Sequence, residues 1–464
     1  MILRELTFKE FEDFTFSHEL GNHYQTNAYA MLMVEIDYEY DFIGLVDDNN
    51  NVYAASLILF KKIKRHQKYG YAPKGFILDY FNKDLFREFT KKLQEYYAKK
   101  NVVFIKINPE IAIAQINPKT GEKSFTTNLE LKELFSELGY YKLKDNLYFE
   151  SQLPHYNAII NLKSYNISNV SKNTRNKIRR AEQKGLKIEL AERSGIDIFY
   201  EFIKKMRRND KFYYLNYYNV FKKNNMIDLF LVRIDTKDFL YKSNALYEKE
   251  LESNQEINQL LIEDNNQKNI NKKMNSDRAL LNYKNDVLEA TDKNAKQETY
   301  YIAGALVIKY ENRIQIVISG YDQNFKHFNP NYFLHNEILN YYKKDYDFAD
   351  LNGFTGDLSP SNPYYGLNEF KAGFNPNIYE FIGEYDLVVN PMKYQKFLNN
   401  GVLQKIFEKT KLKKGKENNL KQKPLSRTKW KKFKKGKSED GFCINRNHLF
   451  LYGFVCLIVF FIPF

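Results

Sequence analysis

The chain has 464 residues and a mass of 55.3 kDa, which exceeds one ordinary core and points to two domains of roughly 150–200 residues each, plus extras. Hydrophobic residues at 43% and charged residues at 28% exclude an intrinsically disordered chain, and Cys443 and Cys456 are its only cysteines. A disulfide framework, a multi-cysteine zinc site and a cysteine nucleophile in the main body are thereby excluded, and a reducing, cytosolic setting is expected. No basic segment followed by an apolar stretch opens the sequence, so no secretory signal is visible. The net charge of +14 sits mostly in residues 401–446, where 16 basic and 4 acidic side chains give +12. The rest of the chain is close to neutral, which excludes a generic basic nucleic-acid binder.

Residues 1–150 alternate between strand-like and helix-like stretches. Residues 42–46, 52–60 and 102–107 are rich in β-branched and aromatic residues over strand length, and Asp47–Asn51 is turn material that makes the first two a hairpin. Residues 84–99 carry Leu85, Phe86, Phe89, Leu93 and Tyr96 at helical spacing. The pattern then repeats: a strand at 156–162, a basic helix over Ser171–Lys184, a strand at 186–190, a hairpin across Glu311-Asn312, a helix at 332–344 and a strand at 348–352. Two copies of a mixed α/β unit is the economical description.

Residues 240–294 contain no Gly and no Pro. Ile270, Met274, Leu281 and Leu288 keep a 4-7-7 spacing, roughly mirrored by Tyr247, Leu251, Ile257 and Leu261, with Asp264–Asn269 able to turn the chain. An antiparallel helical hairpin of short heptads is expected, against the alternative of a charged loop. After residue 400 the polybasic run 411–437 leads into His448–Phe464, which holds no Asp, Glu, Lys or Arg. As a helix these residues would span about 25 Å, slightly short of a ~30 Å hydrocarbon core. A basic run before an apolar end reads as a cytoplasm-facing tail anchor; the alternative is an apolar tail that does not insert.

Three stretches carry chemical content. In Ser171–Gly185, Ser171 can cap the basic helix and Gly185 can stop it, and Lys172, Arg175 and Arg179 suit phosphate or else form a solvated face. Arg207-Arg208 runs into Phe212, Tyr213 and Tyr214. The glycines of 353–373 would let backbone approach a ligand closely, with Lys371 a cation among them.

In their order these motifs resemble the Fem (FemABX) family of peptidoglycan-bridge aminoacyltransferases over roughly residues 1–395. The resemblance is carried by Gly21–Thr26 with Tyr29, Tyr71–Tyr80, Ser171–Gly185, Arg208–Tyr214, Gly320–Phe328, Phe370-Lys371-x-Gly373-Phe374 and Tyr379-x-x-x-Gly383-Glu384. It implies an α/β (mixed α+β) fold of two GNAT-like acyltransferase domains, 1–150 and 151–238 with 296–395, carrying an inserted antiparallel helical coiled-coil arm at 239–295. The polybasic tail 401–446 and possible anchor 447–464 follow.

The implied activity is transfer of an amino acid, expected to be Gly, Ser or Ala, from aminoacyl-tRNA to the stem-peptide amine of the lipid-linked peptidoglycan precursor, at the inner face of the cell membrane. No metal and no organic cofactor is implied. By analogy with the family's Phe-Lys pair, Lys371 would neutralise charge at the tRNA 3′ end or the oxyanion, and Phe370 would shape that site. Lys74, Arg175, Arg179 and Arg208 would meet precursor diphosphate or tRNA phosphate, and Tyr71, Tyr213 and Gly373 would complete the substrate surface. Two positions depart from the family pattern: Asn108-Pro109 stands where Asp-Pro is common, and Met33 where a precursor-binding Lys is expected. Asn cannot take a proton, so Asp79 is the substitute candidate for general base, or else a turn residue. The rival expectations are the same transfer to a protein or lipid acceptor, and a non-catalytic tRNA- or membrane-binding scaffold.

Overall fold

The computed structural model describes residues 1–64, 66–142, 153–205 and 209–399. Arg208, the tail 401–446 and the segment 447–464 lie outside the described residues. Among the described residues no helix is long and apolar enough to cross a membrane.

Two mixed sheets share one plan. The first orders its seven strands Ile2–Glu5, Glu39–Val46, Val52–Lys64, Gln67–Ala72, Val102–Ile107, Tyr385–Val388 and Tyr140–Lys142. The second orders nine: Leu186–Ala191, Ile227–Asp235, Thr299–Tyr310, Arg313–Tyr321, Phe348–Phe354, Tyr156–Asn161, Asn377–Phe381, Ala112–Ile116 and Lys123–Thr126. Each runs antiparallel through its first four strands and then makes one parallel step across a helix. That helix is Lys83–Lys99 in the first copy and Pro330–Tyr342 in the second. The sheets also trade strands: 385–388 from the C-terminal half inserts between 102–107 and 140–142 in the first, and 112–126 from the N-terminal half extends the second. The halves therefore cannot separate without breaking ladders in both.

Local chemistry accounts for these elements. Asn82 caps the helix Lys83–Lys99 by accepting from the Leu85 amide at 3.1 Å, and Leu85, Phe86, Phe89, Leu93 and Tyr97 form its buried face. Tyr97, not the expected Tyr96, completes that stripe. In the basic helix Lys172–Gln183, Ser171 accepts from the Thr174 amide and Gly185, at φ +76°, ends the turn.

In the first copy the second and third strands are joined by the tight turn at Asp47–Asn51, whose Asp47 carboxylate accepts the Asn49 and Asn51 amides. At the same connection in the second copy stand two helices, Thr236–Glu263 and Gln267–Lys296, joined by residues 264–266. Asn254 bonds Ser276 and Thr236 bonds Asn294, so the pair is antiparallel. The expected seam needs correction. Met274, Leu281 and Leu288 point outward, at 57%, 59% and 60% exposure, while Ser243, Asn254, Ser276 and Ala290 are buried between the helices or at their base. The contact line runs one residue earlier than the leucine row, at three-four spacing through 273, 276, 280, 283, 287 and 290.

Candidate active site

A cavity of about 200 Å³ lies where the two halves meet. From the first half it takes Asn22, His23 and Tyr24, which precede the helix Asn27–Val34, and Lys74 and Glu110, which follow the parallel strands Gln67–Ala72 and Val102–Ile107. Ligands favour the carboxyl ends of parallel strands because side chains and loops converge there. From the second half come Arg313 and Gln315 on one parallel strand and Asp350 on the other.

The loops are held by buried amides. Gln25, fully buried, accepts from the Leu57 amide at 2.7 Å and donates to the Pro73 carbonyl at 2.8 Å. Lys74 itself adopts φ +52°, a conformation that costs a non-glycine residue energy unless its surroundings impose it. Asn108 imposes it by accepting the Lys74 amide at 2.9 Å, and Asn22 donates to the Lys74 carbonyl at 3.4 Å. Asn108 is thus a clamp on the Lys74 backbone. The Lys74 Nζ lies 4.4 Å from the Phe381 ring centroid.

Both halves meet polar group to polar group in this cavity. Glu110 and Arg313 approach to 3.4 Å, and the Tyr24 hydroxyl donates to Gln315 at 3.3 Å. Asp350 accepts from Gln315 at 2.7 Å, Asn157 at 2.8 Å and the Asn352 amide at 2.6 Å. Burial, reinforced by Glu110, pushes the Asp350 carboxyl above its ordinary range. Burial, and then the charges of Arg313 and Lys74, push His23 down to about 3, so it stands in the cavity as a neutral imidazole.

A second pocket of about 270 Å³ opens at the N-terminus of the helix Pro330–Tyr342, lined by Lys177, Lys326, Tyr332 and Phe370 among others. Lys177 donates to the Tyr332 hydroxyl at 2.8 Å and lies 4.3 Å from that ring's centroid. Two lysines beside the uncapped first turn of a helix suit an anionic group. Phe370 packs edge-on against Tyr332 and His335, each at 4.9 Å.

The two sites are joined by one strand. Asp350 lines the first cavity; three residues on, Gly353 offers its carbonyl to the Nζ of Lys371, next to the Phe370 of the second. Three residues of strand span about 10 Å.

The structure brings Lys74 and Phe370 to cavities. Lys371 is buried, at 3% exposure, behind Phe370. Tyr71 is buried near Asn108 and Glu384, with burial raising its phenol well above the ordinary value. Asp79 is exposed and accepts the Phe81 amide at 2.9 Å, holding a turn; it lines neither cavity. Arg175 donates to the Ser168 carbonyl, Arg179 is exposed, and Tyr213 is half-buried in the helix Lys211–Lys222. At Gly373 a Cβ would come within 2.2 Å of Thr174 Oγ1, so this glycine permits the close approach of the basic helix. Sequence reasoning missed His23, Glu110, Lys177, Arg313 and Asp350. Glu110, the residue immediately after Asn108-Pro109, and Lys177, inside the basic helix, belong to motifs visible in the sequence; Arg313 and Asp350 become neighbours only by strand pairing.

Twin mixed α/β units sharing strands, with a cavity between them and a second pocket one strand segment away, define a two-unit α/β protein that carries its sites where the units join. The FemAB family model matches residues 6–399, and the chain belongs to that family. It is 25% identical over 418 residues to Aminoacyltransferase FemA of Staphylococcus epidermidis, covering 85% of this chain and 97% of that protein. It is 24% identical over 401 residues to the same organism's Lipid II:glycine glycyltransferase, covering 84% and 93%. The crystal structure of FemX superposes with a TM-score of 0.65 at 21% identity, covering 85% of this chain and 99% of that one. The chain is therefore an aminoacyltransferase.

Proposed function

We propose that the enzyme moves an amino acid from aminoacyl-tRNA to the stem-peptide amine of lipid II, building the interpeptide bridge. The observation that carries this reading is the pair of sites on one strand, an interdomain cavity mixing cations with carboxylates and an aromatic pocket with two lysines. The first suits a peptide that brings an amine and carboxylates, and the second suits the phosphates and terminal base of a tRNA 3′ end.

The reaction is aminolysis of an ester. The amine attacks the aminoacyl carbonyl, the tetrahedral intermediate expels the ribose oxygen, one proton leaves the nitrogen and one reaches that oxygen. Because the ester is already activated, the protein mainly supplies proximity, a proton acceptor and charge stabilisation. Asp350 has its acceptor directions filled by Gln315, Asn157 and Asn352. Glu110, whose one ion-pair partner among the described residues is Arg313 at 3.4 Å, is the carboxylate placed to steady the acceptor ammonium and take its proton. The basic run and apolar end of the chain support a working position at the inner face of the membrane, where lipid II is presented.

The test is transfer of radiolabelled Gly, Ser or Ala from charged tRNA to purified lipid II by the full chain. Label in the lipid fraction is expected and names the amino acid. Label reaching a protein or phospholipid acceptor instead, or no transfer from any charged tRNA by a folded chain, would overturn the reading.

A further inference from the structure

Two buried polar groups lining the interdomain cavity lack the partners that burial demands. His23 is 6% exposed, and among the described residues its Nε2 has no hydrogen-bond partner. Lys74 is 4% exposed; its Nζ lies 4.4 Å from the Phe381 ring centroid and, among the described residues, makes no hydrogen bond and no ion pair. Buried polar groups are paired as a rule, and a buried charge without a counter-ion is costly, so such groups in a cavity mark where a ligand supplies the missing partner. The other charged side chains of the cavity are matched. Glu110 and Arg313 face each other at 3.4 Å, and Asp350 accepts from Gln315, Asn157 and the Asn352 amide.

We propose that Lys74 and His23 together hold a free carboxylate of the acceptor peptide, Lys74 as its counter-ion and His23 as a hydrogen-bond donor through Nε2, so that the enzyme selects acceptors bearing that carboxylate over their carboxamides. This deepens the acceptor reading given above and rests on it. The imidazole is fixed in place: its ring centroid lies 3.9 Å from that of Tyr24, whose hydroxyl is anchored on Gln315 at 3.3 Å. Burial, and then the charges of Arg313 and Lys74, keep the ring neutral, with one nitrogen a donor and the other an acceptor. An anion beside Lys74 selects the tautomer with the proton on Nε2. One cation and one neutral donor match the single charge and two oxygens of a carboxylate, whereas a diphosphate would leave negative charge unmatched. Ile159 and Ile308 line the same cavity, and apolar walls leave such a contact little screened by water. A carboxamide has no charge and one oxygen, and leaves either Lys74 or His23 unpaired. With the carboxylate held there, the amine is left to Glu110.

Equilibrium binding of lipid II to the full chain in detergent tests this without requiring transfer. Three acceptors are compared: lipid II with its carboxylates free, the same molecule with the C-terminal carboxylate converted to a carboxamide, and the same with the isoglutamyl carboxylate converted. At least one conversion is expected to weaken binding by the wild type about 10- to 100-fold, the range of a hydrogen bond to a charged group, and it names the carboxylate that is held. Lys74→Met should weaken binding of unmodified lipid II by a similar factor, and conversion should then cost little more, because both changes remove one contact. His23→Phe keeps a ring against Tyr24 without the donor and should also bind more weakly, while His23→Gln, which offers an amide donor, should recover most of the affinity. If unmodified lipid II binds and both converted forms bind the wild type equally well, or if conversion costs Lys74→Met as much as it costs the wild type, this proposal is overturned and the acceptor reading stands. Lipid II that does not bind the folded wild type at all overturns both.

Discussion

The Nζ of Lys371 donates its hydrogen bond to the carbonyl oxygen of Gly353, inside the protein and behind Phe370. This bond ties the helix Tyr365–Ala372, which presents Phe370 to the second pocket, to the strand that carries Asp350 into the first. Lys371→Ala should therefore act on both fold and reaction. Leaving a buried carbonyl without its donor costs about 1–3 kcal/mol, and transfer should fall at least tenfold. Urea denaturation and the transfer assay check the two effects; an unaltered rate would remove Lys371 from the mechanism.

Glu110→Gln keeps the side chain's shape and removes its charge. With tRNA and lipid II saturating, transfer at neutral pH should drop tenfold or more, the range in which positioned general bases act being about 100- to 10,000-fold. The defect should narrow between pH 7 and pH 9, since an acceptor amine that titrates like a lysine side chain, near ~10.4, would then arrive deprotonated more often. A defect that is constant across this range would assign Glu110 a role in shape or binding and not in proton transfer.

His23 and His335 give stability a pH dependence. Burial holds His23 down to about 3 and His335 down to about 4, against an ordinary 6.5, so the unfolded chain binds more protons in the window between. Their contribution is present above pH 6.5 and is lost as pH falls toward 4. Between pH 6.5 and pH 5 the pair should account for about 3 kcal/mol. Denaturation midpoints at the two pH values measure this. Replacing both residues with Asn should flatten the slope, and an equally steep slope would place its origin elsewhere.

Gly373 has φ −57°, so any residue could adopt its backbone; what excludes a side chain is Thr174 Oγ1, held in turn by Ser171 at 3.0 Å. Gly373→Ala should destabilise by about 1–3 kcal/mol through overpacking. Adding Thr174→Ala should recover at least half of that loss. If the double variant is no more stable than Gly373→Ala alone, the clash is not the cause.

Much of the fold was legible in the chain. Alternation and helical spacing marked the strands and the helix near 83–99, the Asp47–Asn51 turn marked the first hairpin, and a long stretch without Gly or Pro marked the helices of 236–296. The leucine row misled because seven-residue spacing is the same whether a row faces its neighbour or faces out; only the buried Asn254–Ser276 contact decides which.

The candidate site divides in the same way. Phe370, Lys371 and the basic helix belong to short motifs whose composition is visible locally, and so does the capping of Ser171 and Gly185. Glu110 and Arg313, 203 residues apart, and Tyr24 and Gln315, 291 apart, meet only because the two sheets exchange strands across the middle of the molecule. The sequence by itself determined the elements, the repeat and the family, because these rest on local propensity and spacing. The tertiary structure alone decided which charges share a cavity, because burial and partnership are properties of the packed chain.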